Sequence, residues 1–464
     1  MASPAAGHRV GDTFRVKGLE LTDHFFTLPL DQFAAAGPDA ETIEVFAREV
    51  VSLDKADEAK RADLPYLLFL QGGPGFEAAR LTETGGWVAA ATDQFRVLLL
   101  DQRGTGRSTR VSTASVLRRG PNDPAAQATY LSHFRADAIV ADAEAIRTAL
   151  IGENGKWSML GQSFGGFCIT RYLGASPGGI KEAFLTGGLP PLVHEPDAAP
   201  HAYRKLLDRV AAQNKKFYRR FPGDAEVVRS VAKFLAQADG GSGRGVKTPS
   251  GGRLSLRGLQ ALGFSALGTA GGMEGLHYLF EKAWDVPGES LSYAFLKGAE
   301  DVHAFDTNPI YAVLHESIYC NGGEGSNWSA EAALLERGAE FDAARALADG
   351  APVFFTGEMV FPFMFDDIAA LVPLKPVAEV LAAKDDWPRL YDLHALATNV
   401  VPVACASYFE DMFVDFDLAQ ETAAAIAGSR VWVTNEYMHS GVREDGARIL
   451  KKLMAMTRDE EVLR

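Results

Sequence analysis

The protein has 464 residues, of which 47% are hydrophobic and 23% are charged, enough to bury the core of one large domain with an insertion or a second domain. The formal net charge of −14, without a basic stripe, excludes the usual electrostatic basis of nucleic-acid binding. No apolar run reaches the length of a membrane span, and residues 1–10 lack a basic segment followed by an apolar one, so we expect a cytoplasmic protein with no membrane partner.

The three cysteines, Cys168, Cys320 and Cys405, are far apart in the chain and odd in number. This pattern supports neither a disulfide framework nor a zinc site of the CxxC type. We therefore expect free thiols, no metal and no cofactor.

Strand signals dominate the N-terminal part of the chain. Residues 25–30 and 42–51 are rich in β-forming residues and flank an Ala-Gly-Pro-Asp loop, which predicts an antiparallel pair. Residues 64–70 and 95–100 are continuous apolar runs, which is typical of strands covered on both faces. Apolar residues then recur at a helical period over residues 137–150.

A glycine-bearing loop follows each of the two apolar strands. Gln71-Gly72-Gly73-Pro74-Gly75 follows the first strand, and its small residues let the backbone approach a ligand closely. Residues 101–108 follow the second strand, but the Gly-Lys-Ser/Thr of a phosphate-binding loop is missing. We expect the second loop to be structural and to brace the first through Asp101 or Arg103.

Gly161-Gln162-Ser163-Phe164-Gly165 has the pattern of a nucleophile elbow. It joins an apolar strand, residues 157–160, to an apolar helix, residues 167–173, and such a turn holds its serine in a strained conformation that exposes the hydroxyl. The free N–H groups at the start of the helix favour an oxyanion beside it. We predict Ser163 as the nucleophile, with the N–H groups of Gly73 and Phe164 as the oxyanion hole.

The pattern changes near residue 190. One more strand, residues 180–185, is followed by long amphipathic segments and a Gly-Gly-Ser-Gly tract, and strand signals return only at 400–408 and 430–434, before a helix at 444–456. The alternation of buried strands and helices predicts an α/β protein with a doubly wound, mostly parallel sheet. We divide the chain into a first core part, residues 1–190, a mainly helical insertion, residues 191–395, and a second core part, residues 396–464.

A serine nucleophile needs a histidine as general base and a carboxylate to orient that histidine. His439 lies in a loop after the last predicted strand, where it can reach over the carboxyl edge of the sheet. Asp411 directly follows strand 400–408 and is the favoured acid, with Glu410 as its competitor. Asp415 and Asp417 lie where they would cap the next helix.

With these features in order, the chain resembles the α/β-hydrolase superfamily and, within it, the proline iminopeptidase (prolyl aminopeptidase) family over most of its length. Residues 71–75 depart from the family's usual His-Gly-Gly-Pro-Gly only at Gln71, and the Asp-Gln-Arg-Gly run at 101–104 is similar to its second signature. His439 follows Asp411 by 28 residues, a spacing that fits the family and favours Asp411 over Glu410. The resemblance implies an α/β-hydrolase fold whose helical insertion is a cap domain.

The resemblance also implies that glutamates of the cap bind the free α-ammonium group of the substrate. A carboxylate favours this charged amine, whereas a longer peptide presents only a neutral amide. Glu316 matches the family's Glu-x-x-Tyr position and is the first candidate, followed by Glu274 and Glu358. Three aromatic residues either wall a pocket for the proline ring or pack in the cap core: Phe361, Phe363 and Phe365.

These features predict a metal-independent serine exopeptidase that releases an N-terminal proline, or a similar residue, from short peptides with a free N-terminus. An esterase or amidase on the same scaffold is the nearest alternative, because fold does not fix substrate. A ligand-binding protein that keeps the fold without turnover is the alternative from another class. The sequence leaves the oligomeric state open.

Overall fold

Three antiparallel strands start the main sheet: β1 (Gly7–Val16), β2 (Leu19–Pro29) and β3 (Thr42–Ser52). The computed structural model describes residues 7–35, 37, 39–192, 198–323 and 325–460. The predicted antiparallel pair is confirmed by β2 and β3, in which Phe26 lies opposite Val45. β1 was not predicted, because its largely exposed residues carry no apolar alternation.

The chain then alternates strands and helices. Four strands, β4 (Tyr66–Leu70), β5 (Arg96–Asp101), β6 (Trp157–Gln162) and β7 (Ile180–Thr186), are parallel to one another. Helix α1 (Glu58–Ala62) precedes β4, and five helices lie between the four strands: α2 (Gly86–Thr92), α3 (Thr113–Leu117), α4 (Pro124–Ser132), α5 (Ala136–Ile151) and α6 (Phe164–Ala175). Short 3₁₀ turns occur at Leu53–Lys55 and Pro177–Gly179.

The segment between β7 and the next strand of the main sheet is mainly helical. Its helices are α7 (Ala198–Arg220), α8 (Asp224–Gly241), α9 (Leu256–Gln260), α10 (Gly263–Ala266), α11 (Gly272–Phe280), α12 (Tyr293–Asp301), α13 (Pro309–Leu314), α14 (Ser329–Glu336), α15 (Ala343–Asp349), α16 (Met364–Asp367), α17 (Lys375–Ala383) and α18 (Leu393–Ala397). Its 3₁₀ turns are Glu316–Tyr319, Gly338–Glu340 and Val372–Leu374. Two small hairpins complete it: β8 (Val246–Lys247) with β9 (Arg253–Leu254), and β10 (Trp284–Val286) with β11 (Ser290–Leu291).

The main sheet resumes after this insertion with β12 (Val403–Tyr408) and β13 (Ser429–Thr434), both parallel to β7. The helices α19 (Phe416–Ala425), α20 (Gly441–Glu444) and α21 (Gly446–Thr457) follow the two strands. The strand order is β1-β2-β3-β5-β4-β6-β7-β12-β13, so six of the nine strands are parallel. The predicted mostly parallel α/β sheet is confirmed.

Helices cover both faces of the sheet. Alternate residues of β4 point to opposite sides: Leu68 packs in the same buried cluster as residues of α5 and α6, whereas Leu67 packs in the cluster that contains residues of α2 and α21. Core residues of the insertion, such as Phe355, belong to the same cluster as Leu68. The division of the chain at residues 190 and 395 stays a prediction.

Within the described part of the chain, no helix is both long enough and apolar enough to cross a membrane. All three cysteines are buried and unpaired, and burial raises the pKa of Cys320 to about 11. The thiols therefore stay protonated at neutral pH.

Candidate active site

Ser163 occupies a strained turn between β6 and α6. Its φ of 55° and ψ of −126° lie outside the region that non-glycine residues normally adopt. The flanking glycines are required by space: a Cβ on Gly161 would lie 2.5 Å from the Gly165 carbonyl oxygen, and one on Gly165 would lie 2.0 Å from that of Leu70. Such backbone strain costs on the order of 1–3 kcal/mol and is concentrated at functional sites. The geometry is that of a nucleophile elbow.

Asp411 and His439 come together at the carboxyl edge of the sheet. Asp411 follows β12, His439 follows β13, and the Nδ1 of His439 lies 2.8 Å from Oδ2 of Asp411. The other carboxylate oxygen of Asp411 accepts hydrogen bonds from the backbone N–H groups of Phe413, at 2.8 Å, and Val414, at 3.1 Å. The imidazole stacks on Phe413 with ring centroids 4.5 Å apart. Both side chains are therefore held firmly in place.

The Asp411–His439 pair lies beside the elbow. Nε2 of His439 lies 3.4 Å from the amide Nε2 of Gln162, the residue before Ser163, which donates a hydrogen bond to it in the ring tautomer that is protonated at Nδ1. A Cβ on Gly187, just after β7, would lie 3.2 Å from both Asp411 Oδ2 and His439 Nδ1. The carboxyl ends of β6, β7, β12 and β13 thus lie close together. In the neutral ring, Nε2 of His439 can act as an acceptor.

The surroundings of His439 raise the pKa of its imidazole. Burial lowers the pKa of the imidazole, but the charge of Asp411 and the hydrogen bond to it outweigh burial, so the pKa of His439 is raised from its ordinary value. The carboxylate of Glu358 raises it further. Glu358 is therefore close enough to the pair to influence its protonation.

The Gly-Gly-Pro-Gly loop passes against the elbow. A Cβ on Gly72 would lie 2.7 Å from Oε1 of Gln162 and 3.0 Å from Cβ of Ser163, so the loop packs tightly against the elbow. Phe164 is the first residue of α6, where backbone N–H groups have no acceptor within the helix. The structure thus brings the predicted oxyanion loop and the predicted helix start to the same serine.

The second loop braces the first. Gln102 donates from Nε2 to the Gln71 carbonyl oxygen at 3.0 Å, and Asp101 accepts from the Ala78 N–H at 3.1 Å. Asp101 thus contacts the chain just after the oxyanion loop, as predicted, whereas Gln102 was missed. Arg103 has another role: it is fully buried and forms a two-pronged ion pair with Asp142 at 2.6 and 2.7 Å.

Glu358 is the predicted glutamate whose charge raises the pKa of His439. It is 7% exposed, and its Oε1 accepts a 2.5 Å hydrogen bond from the Tyr311 hydroxyl. Nε2 of His315 lies 3.5 Å from the same oxygen, while Nδ1 of His315 is 3.2 Å from the Tyr203 hydroxyl. Neither periodicity nor motif spacing points to Tyr203, Tyr311 or His315, which lie on α7, on α13 and just after α13.

The other two glutamates are engaged elsewhere. Glu316 is buried, and its two oxygens accept the N–H groups of Ser329, at 3.2 Å, and Ala330, at 2.9 Å, at the start of α14. Burial raises the pKa of Glu316 despite these hydrogen bonds. Glu274 forms an ion pair with Arg220 on the surface of α11. The geometry therefore favours Glu358 over the first candidate of the sequence analysis.

The phenylalanines at 361, 363 and 365 belong to the core of the insertion. Phe361 and Phe365 are fully buried, and Phe361 stacks on Phe363 with centroids 5.8 Å apart. The guanidinium of Arg257 lies over both rings. Core packing, rather than a wall for a proline ring, accounts for their positions.

A family model described as "alpha/beta hydrolase fold" matches residues 65–234, which include the elbow. The strand order, the elbow and the Asp411–His439 pair agree with that class of protein.

Sequence relatives assign the chain to one family within the α/β-hydrolase class. A proline iminopeptidase of Aeromonas sobria is 46% identical over 442 residues, which are 95% of this chain and 97% of that protein. A proline iminopeptidase of Aspergillus aculeatus is 32% identical over 94% of this chain and 93% of its own length. The crystal structure of the Mycobacterium smegmatis proline iminopeptidase is 15% identical, with 90% of this chain and 97% of that chain covered and a TM-score of 0.42. The chain belongs to the proline iminopeptidase family.

Proposed function

We propose that the protein is a serine aminopeptidase that releases an N-terminal proline from short peptides with a free N-terminus. The observation that carries this proposal is the buried carboxylate of Glu358, which lies in the insertion close enough to His439 to affect its protonation. A buried carboxylate needs a cationic partner, and the ammonium group of a free N-terminus supplies one. The names of the relatives support the same substrate class.

The proposed chemistry is acyl transfer. Ser163 Oγ attacks the carbonyl carbon of the N-terminal residue while Nε2 of His439 takes the hydroxyl proton, and Asp411 stabilises the imidazolium. The N–H groups of Gly73 and Phe164 donate to the oxyanion, a contact worth about 3 kcal/mol per donor in such sites. The C–N bond then breaks, and the departing amine takes the proton from His439.

The second half of the reaction regenerates the serine. Water gives a proton to Nε2 of His439 and attacks the acyl carbon, the ester bond to Ser163 breaks, and the proton returns to Oγ. No metal or cofactor takes part in this scheme. The products are free proline and the shortened peptide.

We further propose that the insertion, residues 191–395, acts as a cap over the elbow. Ile310 of α13 packs so closely on the two loops that Cβ atoms on Gly75 and Gly104 would lie 2.8 and 2.5 Å from its side chain. Tyr319 packs against Phe167 of α6 with centroids 6.1 Å apart. In this proposal the insertion carries Glu358, whose charge acts on His439, and limits the space for a long N-terminal extension.

The function is tested with three matched substrates: a chromogenic amide of proline with a free imino group, the same amide acylated on nitrogen, and a short acyl ester. We expect the free amide to be hydrolysed with a kcat/KM at least 100-fold above that of its blocked twin, because only the free amine carries the charge that Glu358 binds. Preference for the ester, or indifference to blocking, would identify an esterase or amidase instead.

Replacement of Glu358 by Gln is expected to lower kcat/KM for the free proline amide about 100-fold, mainly through KM, since about 3 kcal/mol is lost when one partner of a buried charged pair is removed. Steady-state kinetics measures this loss. Glu274→Gln is the matched control and should stay near wild type, because Glu274 lies in a surface ion pair. If a stably folded Glu316→Gln variant loses more kcat/KM than Glu358→Gln, the amine contact belongs to Glu316 instead.

The raised pKa of His439 predicts the pH profile. His439 accepts a proton only when its ring is neutral. We therefore expect kcat/KM to reach its full value above the pKa of His439 and to fall as the pH drops through this pKa. Because the pKa is raised, the fall should occur above the ordinary imidazole value of about 6.5. In Glu358→Gln this acidic limb should move to lower pH, because one charge that raises the pKa is gone. The ester, which lacks an amine, reports the limb without interference. A limb that stays in place would contradict the electrostatic link.

A further inference from the structure

A cavity in the insertion lies apart from the catalytic residues. Its volume is about 440 Å³, and it is lined by the β8–β9 hairpin, the end of α12, residues 303–307 and residues 363–370. We call it the hairpin cavity. Its lining includes neither Ser163, His439 nor Glu358. The volume is within the range of about 300–1,000 Å³ that small-ligand sites occupy.

The polar part of this lining is acidic. It contains four carboxylates and two cations: Glu300, Asp301, Asp306 and Asp367, with Lys297 and Arg253. Both cations are already engaged, Lys297 with Asp301 and Arg253 with Asp239 outside the cavity. Over the described ranges of the chain, no cation lies within ion-pair distance of Asp306 or Asp367. The hairpin cavity therefore favours a positive charge.

Two buried atoms of the lining residues are unsatisfied. Oε2 of Glu300 has no hydrogen-bond partner and only a long ion-pair contact, 3.8 Å, with Nζ of Lys297, whereas Oε1 accepts from Thr248 Oγ1 at 2.7 Å and from the Ser250 N–H at 3.1 Å. Nε2 of His303 also has no partner. Burial lowers the pKa of His303 to about 4, so its ring is neutral at physiological pH and presents an acceptor there. Unsatisfied buried acceptors call for a donor, and an ammonium or guanidinium group is one.

A chain of aromatic contacts links His303, in the lining of the hairpin cavity, to His439. The ring of His303 packs against Phe264 with centroids 5.2 Å apart, Phe264 packs against Phe413 at 6.4 Å, and Phe413 stacks on His439 at 4.5 Å. Two aromatic rings thus separate the cavity from the acid–base pair. An extended peptide advances about 3.3–3.6 Å per residue, so a few residues beyond the scissile bond span this separation.

We propose that the hairpin cavity binds a lysine or arginine side chain of the peptide that follows the released proline. The inference rests on the proposed aminopeptidase function, because it assigns the cavity to the leaving part of the same substrate. The apolar residues of the cavity, among them Leu254, Met364 and Ile368, contact the methylene stem, and the carboxylates meet the charged end. The substrate class is therefore a short peptide with N-terminal proline and a basic residue downstream.

The test compares amidated tetrapeptides that begin with Pro and carry Lys, Ala or Glu at the second, third or fourth position in turn. At one position, kcat/KM for release of proline should be about tenfold higher with Lys than with Glu, through KM, and added salt should reduce the difference. Asp306→Asn, an exposed change that leaves the core intact, should reduce the preference, and Glu300→Gln should reduce it further. Asp349→Asn, an exposed carboxylate of α15 paired with Arg345, is the matched control and should keep it.

Two further measurements separate this inference from the proposed function. The chromogenic proline amide has no downstream residue, so both cavity variants should hydrolyse it like wild type. If the wild-type protein does not hydrolyse this amide at all, the proposed function is contradicted. Calorimetric binding of the Lys and Glu peptides to Ser163→Ala protein reports the site without turnover. Equal binding and equal cleavage of the two peptides, or a preference unchanged in Asp306→Asn and Glu300→Gln, would overturn the assignment.

Discussion

Ser163→Ala should lower kcat for the free proline amide by at least about 10⁴-fold, because loss of the nucleophile in comparable serine hydrolases leaves only the catalysis of the oxyanion hole and substrate binding. The fold should be unaffected, since the change removes one hydroxyl and the strained backbone is fixed by its glycine neighbours. Single-turnover kinetics and circular dichroism of the purified variant measure the two effects.

Ser440→Ala is the control for the Ser163 variant, because Ser440 is the buried serine next to His439. A fluorophosphonate probe should label wild type and Ser440→Ala, but not Ser163→Ala. Labelling that persists without Ser163 would place the nucleophile elsewhere. A wild type that is neither labelled nor active would leave the alternative of a ligand-binding protein with a hydrolase fold.

Asp411→Asn should lower kcat by about 10⁴-fold, since an amide at this position holds the imidazole in the wrong tautomer for accepting a proton. The effect should appear in kcat rather than KM, because Asp411 contacts His439 and not the peptide. Steady-state kinetics measures both constants. The acidic limb of the pH profile should also move to lower pH, since Asp411 supplies the main charge that raises the pKa of His439.

Glu410→Gln is the matched control for Asp411→Asn. It decides between Glu410 and Asp411 as the acid, a choice that the residues of the sequence alone left open. The side chain of Glu410 forms an ion pair with Lys216, away from the imidazole, and is partly exposed. Its activity should stay within about threefold of wild type, as for other surface ion pairs. A loss comparable to that of Asp411→Asn would reverse the assignment.

The sheet could be predicted because its strands are buried on both faces. Residues 64–70 and 95–100 are continuous apolar runs, and the structure places β4 and β5 there. The elbow could be predicted because steric needs at Ser163 demand glycine at fixed positions. The edge strand β1 carried no such signal, since nearly all of its residues face solvent.

The proposed amine contact in the insertion was less predictable from the sequence. Glu316 and Glu358 are both buried glutamates of the insertion, and only the three-dimensional partners distinguish them: backbone N–H groups of α14 for the first, and the Tyr311 hydroxyl for the second. Those partners lie 14 and 47 residues away in the chain. Periodicity and short motifs carry no information at that separation, so the choice between the glutamates needed the structure.

The buried cluster that joins the sheet to the insertion bears on how the enzyme can be re-engineered. Phe355 and Leu68 belong to one continuous apolar core, so the two parts do not behave as independent modules. Grafting an insertion from a relative with another specificity would cut through this core and leave cavities on both sides, each costing several kcal/mol. New specificity is therefore better sought by point changes around Glu358 and the hairpin cavity than by exchange of the whole insertion.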